Sequence, residues 1–453
     1  MIDHAFLKEH NARHLWHPMA HPAEMRANPP KIFVSAEGVE LTDVDGNRLF
    51  DAVGGLWNVN LGYSSQPVKD AIAAQLQNLP YYSAFRGTTT APLVELSSKL
   101  LEWFKPEGMV RTFFTSGGSD SVESALRLAR QYHKIRGERD RVKFIGVRKG
   151  YHGTHFGGAA VNGNANFRRN YEPMMPGTFH IPAPWDYRNP FGESDPEKVA
   201  RLCANLLEEE IQFQGPDTVA AFIMEPVIGA GGLIVPHESF FPLVREICSR
   251  HGVLMIADEV ITCFGRTGAW NGSRLWGVQP DMMTFAKAIT TGYFPLGGVL
   301  INEGMVESFE QNNDAFGAIG HGYTYSGHPV GCAAALATLE ETERLQVAKN
   351  ARDMGALLLP GLKQLEERFD IVGNSRGIGL MAGLELVSDP EKKTPVDKDV
   401  AQAFFEGTYD AGVMARVSGN NVLISPPLVI DENDVARMLN AFEAGLQAAT
   451  NKL

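Results

Sequence analysis

The 453-residue chain reads as an α/β protein built on a mostly parallel sheet. Short apolar runs such as Val219-Ala-Ala-Phe-Ile-Met and Val253-Leu-Met-Ile-Ala alternate with helical stretches from about residue 60 to 325. Alternation of apolar strands with helices over such a length argues for a mostly parallel sheet. Glycine-rich or polar turns follow several of these runs directly, where a parallel sheet opens its ligand crevice. The length also exceeds what one small core supports, so two domains are expected.

The elements follow in order. Residues 34–56 read as a short β-meander: Val39-Glu-Leu-Thr-Asp-Val alternates, Asp45-Gly46 turns and Arg48-Leu-Phe-Asp-Ala-Val returns. Asp43, Asp45 and Gly46 lack the remaining ligands of a calcium loop, which leaves a hairpin turn. Arg111-Thr-Phe-Phe-Thr predicts a strand leading into a helix over 121–136, and Lys143-Phe-Ile-Gly-Val predicts another strand. Pro329 opens an apolar helix that turns charged at Glu340, too short to cross a membrane and suited to a buried link. Strands over 379–387 and 421–425 and an amphipathic helix from Glu432 complete the chain. The expected division is 1–59 and 326–453 in a smaller α+β domain made from both ends, with 60–325 as the large domain.

Composition narrows the function. A net charge of −12 with no lysine-arginine cluster argues against nucleic-acid or membrane-surface binding. Met1 to His14 lacks a secretory pattern. Cys203, Cys248, Cys263 and Cys332 are scattered without a CxxC pair, which argues for free thiols in a reducing cytoplasm and against a metal site or disulfide framework.

Lys287 follows Asp-Met-Met-Thr-Phe-Ala, and Asp258 ends the Val253 run. Alone, such a lysine is usually a solvated surface group and such an aspartate a helix cap. At the ends of two sheet strands the pair suits pyridoxal phosphate (PLP): the amine can bond the cofactor aldehyde, and the carboxylate can keep the pyridine nitrogen protonated. Thr115-Ser-Gly-Gly-Ser-Asp opens a helix after a strand, so Gly118 and Ser119 can cradle a phosphate at its amino end. The Tyr151 ring, beside His152, can stack on a flat heterocycle or simply pack. Glu225 closes a strand, either as a surface carboxylate or as an organiser of nearby polar groups. Thr324, between two glycines, is a second phosphate donor.

These motifs together resemble the class III (ω-) aminotransferases, PLP enzymes of fold type I. The likeness spans nearly the whole chain: Asp258-Glu-Val, Ala-Lys287-Ala-Ile-Thr-Thr-Gly-Tyr-Phe-Pro-Leu-Gly-Gly, Ser-Gly-Gly-Ser-Asp, Gly-Tyr-His-Gly and Ser425-Pro-Pro. The stretch after the lysine and His-Gly-Tyr-Thr-Tyr-Ser-Gly-His-Pro resemble the ω-amino acid and amine:pyruvate branch. The resemblance implies that Lys287 carries the cofactor and Asp258 partners its ring nitrogen. It places Tyr151 and Val260 on the two ring faces. Gly118, Ser119 and the neighbouring subunit's Thr324 would hold the phosphate. It assigns Trp57, with Phe85 and Arg86, to the amine pocket, and Arg416 to a mobile arginine that grips a substrate carboxylate. A homodimer with shared sites is implied. Ser121, where alanine is common, and Ala288, where glycine is usual, depart from the pattern.

The expected reaction moves an amino group from a terminal amine or ω-amino acid to pyruvate in two half-reactions, giving an aldehyde or ketone and alanine. Trp16-His17-Pro18 resembles the start of the diaminopelargonate-forming transaminase, whose donor is S-adenosylmethionine. Decarboxylation or amino-group migration are other chemistries of the fold. A catalytically silent PLP-binding protein would be expected to have lost Lys287 or Asp258, and both are present.

Overall fold

The computed structural model describes residues 3–312 and 316–453; residues 313–315 of the expected large domain lie outside it. The chain begins its sheets with β1 (Phe33–Glu37), β2 (Glu40–Asp43) and β3 (Arg48–Asp51), the expected meander. Gly46 turns β2 into β3 at φ +85°, a conformation that costs glycine little. The third strand stops at Asp51, short of Val53, because the Asp51 carboxylate draws the following backbone into a turn.

A seven-stranded sheet forms the centre: β4 (Met109–Thr115), β5 (Lys143–Val147), β6 (Thr178–Ile181), β7 (Val219–Met224), β8 (Leu254–Asp258), β9 (Met282–Phe285) and β10 (Gly297–Asn302). Their order is β4-β10-β9-β8-β7-β5-β6. The sheet is mostly parallel, as its apolar runs indicate: β7 and β8 are buried at every residue. Strand β10 runs antiparallel to both neighbours, β9 and β4. Residues 286–296, which join β9 to β10, hold only a 3₁₀ turn over Lys287–Thr290 and no crossover helix, so the chain turns back beside the strand it has left.

Helices cover both faces. On one, Val122, Ala125, Leu126 and Ala129 of the helix Gly118–Ile135 pack against Phe144, Ala221, Ile223 and Ile256. On the other, helices Pro196–Gln214 and Phe240–His251 cover Phe222, Met255 and Phe285. The helix Pro329–Arg344 is buried along much of its length and packs against helices Gln66–Asn78 and Ala91–Trp103. No described helix is long and apolar enough to cross a membrane.

The last hundred residues add β11 (Val372–Ile378), β12 (Met381–Asp389), β13 (Thr394–Pro395), β14 (Val413–Met414), β15 (Arg416–Ser418) and β16 (Asn421–Ile424). Strand β14 joins the first sheet by pairing parallel with β3, so the two ends of the chain share a sheet. They share a core as well, where Phe50 meets Leu384, Phe404, Val422 and Phe442. The closing helix, Glu432–Thr450, begins with a capping box made by Asp431 and Asp434.

Candidate active site

Four residues singled out from the sequence stand at the carboxyl ends of neighbouring parallel strands: Tyr151 beyond β5, Glu225 beyond β7, Asp258 at the end of β8 and Lys287 beyond β9. With Gly118, Ser119, His152 and Val260 they line one cavity. Such a meeting of strand ends is where open α/β sheets place ligands.

Asp258 is 3% exposed, and both its oxygens are engaged. Oδ2 lies 2.7 Å from His152 Nδ1. Oδ1 accepts from the Thr284 hydroxyl at 2.9 Å and from the Val260 backbone N–H at 3.2 Å. A carboxylate offers about four acceptor sites, so capacity remains for a further donor. His152 is buried, held by a backbone hydrogen bond to the Asn162 side chain, and its Nε2 has no hydrogen-bond partner among the described residues.

Lys287 occupies the left-handed backbone region at φ +50°, strain of the kind that persists where surrounding packing imposes it. Burial lowers the pKa of its amine from 10.5 to about 8, against the opposing charges of Asp258 and Glu225 and assisted by Arg416. Glu225 is 3% exposed, which rules out the surface-carboxylate reading. Burial pushes its carboxyl up to about 7, with the charge of Asp258 adding to the effect and His152 opposing it. It accepts backbone N–H bonds from Tyr151 and Gly229, both at 2.9 Å, and so fixes the loop carrying the Tyr151 ring. Burial and the Asp258 and Glu225 carboxylates raise the pKa of the Tyr151 phenol.

Gly118 opens the helix Gly118–Ile135, whose first backbone N–H groups make an anion site. A Cβ at Gly118 would lie 2.9 Å from Val260 Cγ1, so only glycine fits beneath that valine. Ser119 Oγ accepts the Thr154 backbone N–H at 3.2 Å. Ser121, unusual by the family pattern, is fully buried: its hydroxyl donates to Gly117 O at 2.8 Å, meets Thr115 Oγ1 at 2.8 Å and reaches Phe285 O at 3.2 Å. It ties the loop to the strand preceding Lys287.

Other expected site residues lie around or away from this cavity. Arg416, half-buried on β15, is close enough for its charge to act on Lys287 and Tyr151. Among the described residues no carboxylate lies within ion-pair distance of it. Trp57 is 2% exposed at φ +65° and packs with Val227, Leu233, Met381, Leu423 and Ile261, the last of which lines the cavity. Phe85 and Arg86 are exposed and do not line it. Nor does Thr324, whose carbonyl accepts the Tyr81 hydroxyl at 2.7 Å on the exposed segment beside Phe85. Within one chain these three stand apart from the strand ends.

The sequence reading missed Thr284, Asn162, Ile261 and Asp51. The Asp51 carboxylate accepts the backbone N–H groups of Val53, Gly54 and Gly55 at 2.9, 3.0 and 2.7 Å and the Tyr63 hydroxyl at 2.6 Å. It therefore builds the turn that presents Trp57. The one sequence signal for Thr284 is its polarity within an otherwise apolar run.

The residues fit PLP. A glycine cradle at a helix amino end suits its phosphate, a buried carboxylate with spare acceptor capacity suits its ring nitrogen, and a buried amine of lowered pKa suits its aldehyde. Strand-end architecture and this donor set define a fold type I PLP-dependent transferase. The aminotransferase class-III family model matches residues 23–446, and the chain belongs to that family. It is 36% identical over 425 residues to the putrescine–pyruvate aminotransferase of Pseudomonas aeruginosa, covering 93% of this chain and 91% of that protein. It is 34% identical to gamma-aminobutyrate transaminase 1, mitochondrial, of Oryza sativa subsp. indica, over 94% of this chain and 82% of that one. The crystal structure of a PLP-bound amine transaminase from an uncultivated Pseudomonas species superposes with a TM-score of 0.95 at 44% identity, over 96% of this chain and 98% of that one. The protein is thus an aminotransferase that uses PLP.

Proposed function

We propose that this aminotransferase takes its amino group from a terminal amine or ω-amino acid and delivers it to pyruvate, releasing an aldehyde or ketone and alanine in a ping-pong cycle. The observation that carries the acceptor assignment is Arg416: a half-buried guanidinium near Lys287 with no carboxylate partner of its own among the described residues. A planar guanidinium grips a carboxylate through two hydrogen bonds, and a 2-oxo acid supplies one. The names of the Pseudomonas relative and of the amine transaminase agree with an amine donor.

When bound, PLP supplies an electrophilic aldehyde and an electron-withdrawing ring. Lys287 Nζ, neutral in much of the population near pH 8, would take the proton from the donor carbon and deliver it to the cofactor's carbon. Asp258, positioned by Thr284 and His152, would hold the proton on the ring nitrogen. The Gly118 and Ser119 backbone, and a neighbouring copy's Thr324, would hold the phosphate, while Tyr151 and Val260 would confine the ring. Trp57, with Phe85 supplied by a neighbouring copy, would wall the amine pocket. Cytoplasmic residence and a homodimer with shared sites belong to the same proposal.

A donor survey against pyruvate tests it, with alanine measured as product. Alanine formation from primary amines is expected; alanine absent for every donor, with glutamate formed from 2-oxoglutarate instead, would overturn the acceptor assignment. S-adenosylmethionine as the preferred donor would favour the diaminopelargonate-type reading.

Two variants probe named residues. Arg416→Ala should raise the KM for pyruvate by about 10² to 10³, the loss of a charged bidentate pair worth roughly 3–4 kcal/mol, while the half-reaction with an uncharged amine, followed by absorbance, changes less than a few-fold. Thr284→Val should lower kcat/KM for donor and acceptor alike by about 10- to 30-fold, the scale of one hydrogen bond to a charged group. Thr284→Ser should recover most of it.

A further inference from the structure

Two adjoining hollows open beside β5 and β6, at the edge of the central sheet, and share no lining residue with the strand-end cavity. Arg148, directly after β5, lines both. The larger, about 620 Å³, is walled in part by Arg168, Arg169, Glu172 and His180. The smaller, about 280 Å³, is walled in part by Lys149, Trp185 and Arg188. Together the walls carry five cations and one carboxylate, on a chain whose net charge is −12. These positions are spread from 148 to 188, so no basic run marks them in the sequence.

Two of the five cations are committed. Arg188 donates to Glu385 Oε1 at 2.6 Å. Arg168 lies 3.6 Å from the Glu172 carboxylate and 3.4 Å from His180 Nδ1. His180 Nε2 stands 3.2 Å from the Val161 carbonyl, which can only accept, so Nε2 carries the ring proton and Nδ1 accepts from Arg168. That contact holds the Arg168 guanidinium against the wall of the larger hollow. Arg148, Lys149 and Arg169 make no ion pair among the described residues. The Lys149 ammonium stands over the Trp185 ring, 5.8 Å from its centre. Trp185 is 3% exposed, and its indole N–H, a donor only, has no acceptor among the described residues.

A concave wall with surplus cations and few acceptors suits a compact oxyanion of multiple charge. Guanidinium groups match phosphate oxygens two at a time, whereas a long polyanion would meet the negative charge of the rest of the chain. We propose that the two hollows form one site for a small molecule bearing a diphosphate. Arg148, common to both, bridges the two phosphates, with Arg168 and Arg169 on one side and Lys149 on the other.

Inorganic pyrophosphate, titrated calorimetrically into the PLP-loaded enzyme, tests the site. Saturable binding of one equivalent per chain is expected, weakening several-fold as NaCl rises from about 0.02 to 0.2 M, because exposed charges are screened. Inorganic phosphate, which cannot engage both hollows, should bind about ten-fold more weakly or worse, the scale of one hydrogen bond to a charged group. Arg148→Glu and Arg169→Glu should each weaken pyrophosphate binding by at least that factor. Arg148→Lys, which keeps the charge and loses the fork, should cost only a few-fold. Arg48→Glu makes the same charge reversal at an exposed position on β3 and should bind as the parent does.

Absence of saturable binding would overturn the proposal. Release of PLP during the titration would also overturn it, since the pyrophosphate would then occupy the phosphate cradle at Gly118. An equal loss in Arg48→Glu would reduce the attraction to diffuse charge and remove the site. Phosphate binding as tightly as pyrophosphate would overturn the diphosphate assignment.

Discussion

Replacing Lys287 by alanine should lower turnover by at least about 10⁴-fold, the upper range for loss of a positioned proton-transfer group, before the loss of its bond to the cofactor is counted. Its neighbours give the reason. The charges of Asp258 and Glu225 favour protonation of the amine, yet burial outweighs them and brings its pKa down to about 8. At pH 7 about one such amine in eleven is neutral, against roughly one in 3,000 for an ordinary lysine, so nucleophile and base are on hand without a further activating group. The same difference sets a pH dependence. The rate at which PLP re-forms its absorbing complex with the apoenzyme should rise with pH and level off above about 8. A rate still climbing steeply between pH 9 and 10 would show that the amine is not depressed. In Lys287→Ala an amine donor added with PLP should bind without turning over; turnover within ten-fold of the parent would remove Lys287 from the proposal.

The legible parts of this molecule are those in which one residue's neighbours in sequence carry the signal. Val219–Met224 and Leu254–Asp258 are apolar throughout because both sheet faces are covered, and that pattern is visible without a structure. A glycine pair opening a helix declares an anion site, and the lysine and aspartate identify themselves by following such strands. What stayed hidden depends on register and direction. Thr284 lies opposite Asp258 because β8 and β9 pair in that register, which two short apolar runs do not specify. The reversal of β10 comes from a connection too short to hold a crossover helix. Asp51 gathers four donors from a turn whose shape it creates, and nothing in Asp-Ala-Val-Gly-Gly states that the carboxylate points back along its own chain. Ser121 looked like a departure from the family pattern; its three oxygen neighbours, on two separate elements, give it a packing role that only the folded sheet supplies. Thr324 and Phe85 illustrate a different limit, since one chain does not bring them to the strand ends.

Asp258→Asn separates charge from shape at nearly constant volume. An asparagine carbonyl can still accept from Thr284 and Val260. Its amide N–H₂, placed toward His152 or toward the ring, is a donor where an acceptor is required. Either the amide faces the histidine, so that Nδ1 must become the acceptor and the imidazole proton move to Nε2, or it faces the ring nitrogen and opposes its protonation. Because Asp258 is 3% exposed, water cannot relieve either. In the role proposed for Asp258, removing the carboxylate's charge would remove the stabilisation of the positive ring nitrogen in a low-dielectric site, so kcat should fall by about 10³-fold, with KM for the amine changed only a few-fold. The loss should be larger than that of Thr284→Val, which spares the charge, and the ordering is the decisive measurement. PLP should remain attached through Lys287, so the asparagine variant should stay coloured while turning over slowly. If Asp258→Asn and Thr284→Val instead lost activity equally, orientation rather than charge would be the contribution of this residue. If the variant shed PLP on dialysis, the carboxylate would be holding the cofactor in place more than tuning it.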